Sequence, residues 1–213
     1  MQATITLWGE SGWVSPWVFH AMTALEEKRL PYQLELVPLP IPEATRVMLQ
    51  ARAVLGKVPV LVHGDVWLTE SLAISEYLAE TFPTPAHPRL FPADLAERAR
   101  ARQVMSMLRT DLAALREARP TSSVFGRPVT APLTGAAAAQ AAELVRIATH
   151  LLGADRPTIA SAWCIADADL ALALMRLVAN GDPVPAPLRA YATAQWARPS
   201  LRAFLDRAAD AHR

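Results

Sequence analysis

Residues 57–71 read K-V-P-V-L-V-H-G-D-V-W-L-T-E-S, and this stretch decides the fold. Residues 58–62 form a continuous apolar, β-branched run, which predicts a buried strand. His63-Gly64-Asp65 supplies turn chemistry, and residues 66–68 resume the strand pattern, so the two runs form an antiparallel hairpin. Directly afterwards Leu72, Ser75, Glu76, Leu78 and Ala79 fall in helical register, predicting a helix over 70–82. Pro59 lies inside the first strand, where it has no N–H for the ladder and so marks an edge or a bulge.

Upstream, residues 3–8 are short, apolar and β-branched and end at Gly9, which reads as a strand and turn. Val18, Met22 and Leu25 recur at helical spacing over 15–29, and Ser15-Pro16 opens that helix as N-cap and first helical residue. Tyr32–Val37 alternates with period two. Residues 43–55 read as a weaker helix after Pro38, Pro40 and Pro42. The order β-α-β-α-β-β-α, with a hairpin at its end, requires a mixed four-stranded sheet. Downstream, F-P-T-P-A-H-P-R-L-F-P has no helical period and reads as a linker. Helical patterns follow over 95–116, 135–152, 165–180, 188–196 and 200–211, with Pro-bearing loops at 119–133 and 181–187. The predicted organisation is an α/β domain over 1–82, a linker over 83–92 and an all-helical domain over 93–213.

Composition narrows the function. The chain has 213 residues, 52% hydrophobic and 19% charged, so it can bury a core. Lys+Arg 21 against Asp+Glu 20 leaves a net charge of +1, and no bulk pull toward nucleic acid or anionic membrane follows. Arg98, Arg100 and Arg102 alternate with alanines and read as a solvated face. Cys164 stands alone, which excludes an internal disulfide or a two-cysteine redox centre and points to a reducing, cytoplasmic setting. No Lys or Arg precedes Lys28, so the charged start of a secretion signal is missing, and no apolar run is long enough to span a membrane. The five histidines are scattered, so no metal site is expected.

Chemistry gathers at the hairpin. With a bend at Pro59, the N–H and C=O of Val58 can pair with an extended peptide as an added strand; a plain edge-strand proline is the alternative. Glu70-Ser71 opens a helix, whose N-terminal N–H groups and partial positive charge suit a carboxylate. Glu70 beside them suits an ammonium group, so the pair reads as a receptor for an amino-acid head group. The alternative is that Glu70 only complements the helix dipole and Ser71 only caps.

Taken together, K-V-P-V-L, T-E-S-L-A-I-S-E-Y-L, the L-F-P linker with A-E-R-A-R-A-R-Q, and W-C-I-A-D-A-D-L-A-L-A resemble the glutathione S-transferase superfamily across the whole chain. S-P-aromatic, R-E-x-R-P-T and W-C-I-A-D are similar to the small bacterial YfcF-like subgroup. The resemblance implies a thioredoxin-like N-terminal domain, a helical C-terminal domain and a homodimer. It implies a glutathione site in which Val58 binds the cysteinyl backbone, Pro59 is a cis-proline and Glu70 and Ser71 hold the γ-glutamyl end. Lys57 is a candidate for the glycyl carboxylate. Ser15 is the candidate to stabilise the glutathione thiolate, with Ser11 as rival on the same loop; Trp8, Trp13 and Trp17 read as packing or pocket wall.

A thiol with a pKa of about 8.5 is only about 3% ionised at pH 7; lowering it by about two units takes about 2.7 kcal/mol. One hydroxyl donated to a charged acceptor contributes roughly 1.5–3 kcal/mol, which suffices, although capping the helix competes for the same side chain. Relatives that exchange disulfides carry Cys where Ser15 stands, so that chemistry is not expected. The implied reaction is conjugation of the glutathione thiolate to small electrophiles, with reduction of organic hydroperoxides beside it. A non-catalytic binding protein on the same fold is the alternative. Met105, Leu108, Arg109, Leu112 and residues 116–121 are candidates for the electrophile pocket, although the Met and Leu residues read as core by default. Cys164 at the cap before Asp167 predicts a one-sided capping box, since sulfur is a poor acceptor.

Overall fold

In the computed structural model, which describes residues 4–153 and 155–213, β1 (Ile5–Glu10) runs parallel to β2 (Tyr32–Val37) and antiparallel to β3 (Val60–His63). The hairpin adds β4 (Val66–Thr69), giving one mixed sheet in the order β2-β1-β3-β4. The register pairs Trp8 with Val60 and Val60 with Thr69.

The helices of this unit are α1 (Pro16–Lys28), α2 (Glu43–Ala53) and α3 (Ser71–Thr81). Ser15 caps α1, its Oγ accepting the Val18 N–H at 3.3 Å, with Pro16 in the first turn as expected. Val18, Phe19, Met22 and Leu25 are fully buried, and His20 meets Ser75 across α1 and α3 at 2.9 Å. Trp8 and Trp67 pack with the α2 residues Leu49 and Ala53 around Val60.

Packing divides the chain into two units. One runs to Leu90 and takes in Ala203–Arg213; the other is Phe91–Arg202. The second unit contains α4 (Leu95–Thr110), α5 (Ala113–Ala118), α6 (Thr121–Phe125), α7 (Gly135–Leu152), α8 (Ile165–Val178), α9 (Ala186–Trp196) and the start of α10 (Pro199–Ala211). Helix α8 is buried along almost its whole length, against α4 and α9.

Three expectations are corrected here. The helix expected over 95–116 is interrupted after Thr110 and resumes as α5 at Ala113; the Arg116 guanidinium, in α5, turns back to donate to the carbonyls of Leu108 (3.0 Å) and Arg109, groups left open at the end of α4. Within the loop expected over 119–133, residues Thr121–Phe125 form a short helix held by Ser123 Oγ donating to the Pro120 carbonyl. The capping box at α8 is also two-sided: the Cys164 sulfur faces the Asp167 amide while Asp167 accepts the Cys164 N–H at 3.0 Å.

Lys28 yields a prediction about stability. It is 1% exposed and its ammonium donates to the Phe82 carbonyl at 2.6 Å. Burial, reinforced by Arg89, holds its pKa below the ordinary lysine range. A folded pKa below the unfolded value means the unfolded chain binds more protons between the two. The penalty is therefore complete below the folded pKa and disappears above about 10.4. Urea midpoints of the wild type should accordingly rise with pH through that window, relative to Lys28→Met; parallel pH profiles would contradict this.

Candidate functional site

One end of the sheet gathers the residues singled out in the sequence. β1 and β3 pair as far as Trp8 and Val60, so Gly9-Glu10 and Val58-Pro59 both adjoin that edge of the sheet. β3 and β4 pair as far as Val60 and Thr69, so Glu70-Ser71 adjoins the same edge. Three segments therefore emerge side by side: the β1–α1 loop with Ser11 and Ser15, the Lys57-Val58-Pro59 approach to β3, and the β4–α3 junction.

The Val58–Pro59 peptide is cis. Ladder pairing starts at Val60, and neither the amide nor the carbonyl of Val58 bonds another backbone group among the described residues. Val58 is half-buried, Pro59 buried and Lys57 exposed. Such a main chain presents one donor and one acceptor to an extended ligand.

At the junction, Glu70 adopts a left-handed backbone with φ 66° and ψ 111°, and the Ile74 amide returns to its carbonyl at 2.9 Å. That conformation is uncommon for a residue with a Cβ and is typically kept where the surrounding structure uses it. The Glu70 carboxylate is exposed and has no partner among the described residues. No side chain caps α3, so its first amides stay open to an anion. Ser71 is 3% exposed at the first position of the helix, and its carbonyl accepts the Ser75 hydroxyl at 3.0 Å.

In the β1–α1 loop, Ser15 Oγ accepts the Val18 N–H, and its own O–H is not donated to any described residue. The cap therefore uses the oxygen lone pair and leaves the hydroxyl proton available to another acceptor. Ser11 is exposed, and its amide donates to the Val37 carbonyl at 2.8 Å. Trp13 is 6% exposed, edge-on to Phe204 at 5.3 Å with the Arg207 guanidinium over it, so it packs the loop.

Glu10 carries no signal in the sequence. Glu10 is 1% exposed; its Oε1 accepts the amides of Val14 (2.6 Å) and Ser15 (2.8 Å). A lone glutamate at a strand end ordinarily reads as a solvated charge, and only its Ser-Gly neighbourhood hinted at a built turn.

In the helical unit, Met105, Leu108 and Leu112 are 0–7% exposed and belong to its core, while Arg109 pairs with Asp169. Cys164 is fully buried and burial pushes its thiol well above the usual range, which makes it inert as a nucleophile. A cleft of about 350 Å³ between α7 and α9 is lined by residues such as Leu152, Arg156, Leu188 and Tyr191, and by none of the site residues above.

Comparison with known proteins gives the same direction. The family model described as "Glutathione S-transferase, C-terminal domain" matches residues 94–210, and "Glutathione S-transferase, N-terminal domain" matches 14–81. Glutathione S-transferase T1 of Arabidopsis thaliana is 34% identical over 141 residues, covering 60% of this chain and 55% of the relative. Glutathione S-transferase U13 of the same plant is 36% identical over 90 residues, covering 42% of this chain and 39% of the relative. The chain thus spans about half or less of the length of these curated relatives. A glutathione transferase homolog from Burkholderia gl BGR1, solved with bound glutathione, superposes with a TM-score of 0.78 at 34% identity over 97% of this chain and 98% of that one. The Tau class enzyme of mango, at 21% identity and a TM-score of 0.73 over 97% and 96%, shares the fold. A thioredoxin-like first domain with a four-stranded mixed sheet, a helical second domain and both family models in their order establish that the chain belongs to the glutathione S-transferase family.

Proposed function

We propose that the protein is a glutathione transferase of the YfcF-like subgroup, a cytoplasmic homodimer organised as a glutathione-binding domain (1–82), a linker (83–92) and a helical domain (93–213). The observation that carries the reading is the convergence at one sheet end of an unpaired Val58 main chain and an unpaired Glu70 carboxylate at an uncapped helix start. Glutathione supplies matching groups: a cysteinyl amide and carbonyl for Val58, with Pro59 shaping the approach, and an α-ammonium and α-carboxylate for Glu70 and the α3 N-terminus with Ser71. Lys57, exposed beside them, suits the glycyl carboxylate.

In this reading the Ser15 O–H donates a hydrogen bond to the thiolate sulfur, keeps its proton, and so lowers the thiol pKa. The sulfur attacks an electrophilic carbon; an S–C bond forms and the leaving group departs with its electron pair. With an organic hydroperoxide, the sulfur attacks the terminal oxygen, the O–O bond breaks, and the alkoxide takes a proton to give an alcohol. A second glutathione thiolate then attacks the sulfenic sulfur, the S–O bond breaks to give the disulfide, and the departing hydroxide takes a proton to become water. Neither route requires a metal.

Retention on glutathione–agarose tests the binding half. Wild type should be retained and eluted by free glutathione, and Glu70→Ala should weaken binding about tenfold or more, the loss expected for a charge-assisted contact. Folded wild type in the flow-through would favour a non-catalytic binding protein on the same fold.

A further inference from the structure

The β1–α1 loop is wrapped around a carboxylate that lies beneath the surface. Glu10, the last residue of β1, is 1% exposed. Its Oε1 takes two amides, Val14 at 2.6 Å and Ser15 at 2.8 Å. Its Oε2 is buried and has no partner among the described residues. The chain between bends closely around it: the Trp13 amide reaches back to the Glu10 carbonyl at 3.5 Å, Trp13 takes a left-handed φ of 52°, and a Cβ on Gly12 would stand 3.1 Å from Oε2.

We infer that Glu10 is a positioning residue for the thiolate-stabilising hydroxyl, an inference that rests on the role proposed above for Ser15. Ser15 is held at two points: its amide by the Glu10 carboxylate and its Oγ by the Val18 N–H. With both fixed, the O–H is left as the group free to turn toward a ligand. A half-bonded buried carboxylate is a poor choice for stability alone, since an apolar side chain of similar size would fill the space without an orphan oxygen. Only an acceptor at this depth gathers two consecutive loop amides onto one point. A displacement of about 1 Å in a positioned group can lower a rate on the order of 100-fold, so the geometry at Ser15 depends on that acceptor.

The test compares wild type with Glu10→Met, which fills the space without accepting, and Glu10→Gln, which keeps size and one neutral acceptor. Four quantities are read: kcat, KM for glutathione, the pKa of the bound glutathione thiol from its ultraviolet thiolate band, and hydrogen exchange of the Val14 and Ser15 amides. For Glu10→Met, kcat should fall about tenfold or more, the bound thiol pKa should rise by about one unit, and KM should stay within about threefold. Exchange should quicken at Val14 and Ser15 and stay unchanged in the β1 ladder. Glu10→Gln should show the same pattern at roughly a third of the size, and it carries the test should Glu10→Met fail to fold. A folded variant with wild-type kcat and thiol pKa, or unaltered exchange at the two amides, overturns the inference. If wild type itself neither binds glutathione nor turns over, the functional reading falls, and the exchange measurement still decides whether Glu10 holds the loop.

Discussion

Ser15→Ala is expected to lower turnover about 10- to 150-fold, the rate equivalent of the roughly 1.5–3 kcal/mol that a hydroxyl contributes to a charged acceptor. Glutathione affinity should change by less than about threefold, because binding is assigned to Val58, Glu70 and the start of α3. The same change removes the cap of α1, whose Val18 amide loses its acceptor. That loss should appear separately, as about 1 kcal/mol of stability in thermal unfolding. The two effects are separable because one belongs to the oxygen and the other to the proton. Unaltered turnover in a folded Ser15→Ala protein would move the role to Ser11, which is exposed on the same loop.

Asp167→Ala should be the most damaging substitution outside the candidate site. Asp167 is fully buried at the start of α8 and accepts three donors: the Ile159 amide at 2.9 Å, the Cys164 amide at 3.0 Å and the Tyr191 hydroxyl at 2.7 Å. Burial pushes its carboxyl above the usual range, while these donors pull it back. Alanine would leave the two amides without this acceptor and the Tyr191 hydroxyl with only the residue 167 carbonyl, 3.4 Å away. Each buried orphan costs about 1–3 kcal/mol, so a non-additive total of about 3–5 kcal/mol is expected, a large share of a typical 5–15 kcal/mol stability. Denaturant midpoints measure it; a loss below about 1 kcal/mol would show that the junction does not depend on this carboxylate.

The sequence was most informative where local pattern and tertiary role coincide. Tyr32–Val37 alternates with period two, and its bounds match the strand found; Gly135–Leu152 likewise matches α7. The hairpin at His63-Gly64-Asp65 and the Ser15-Pro16 helix start also agree, because turn and cap chemistry act over a few residues. Reading failed where a side chain acts at a distance. The break between α4 and α5 interrupts a periodicity that runs on through it, and no local signal announces the reach of Arg116 back to Leu108 and Arg109. Glu10 is silent for the same reason: its burial comes from the loop that folds over it. The segments of the candidate site were legible as separate motifs, whereas their meeting at one sheet end required the register.

The seating of Phe204 on Trp13 and Phe19, at 5.3 and 5.5 Å, bears on how the molecule is made. Ribosomes deliver the chain from its N-terminus, so the ring that completes the first unit emerges only after all of Phe91–Arg202 has been synthesised. Until then Phe19 and Trp13 lack that covering ring, and the nascent first unit carries an apolar scar that closes after translation has passed residue 204.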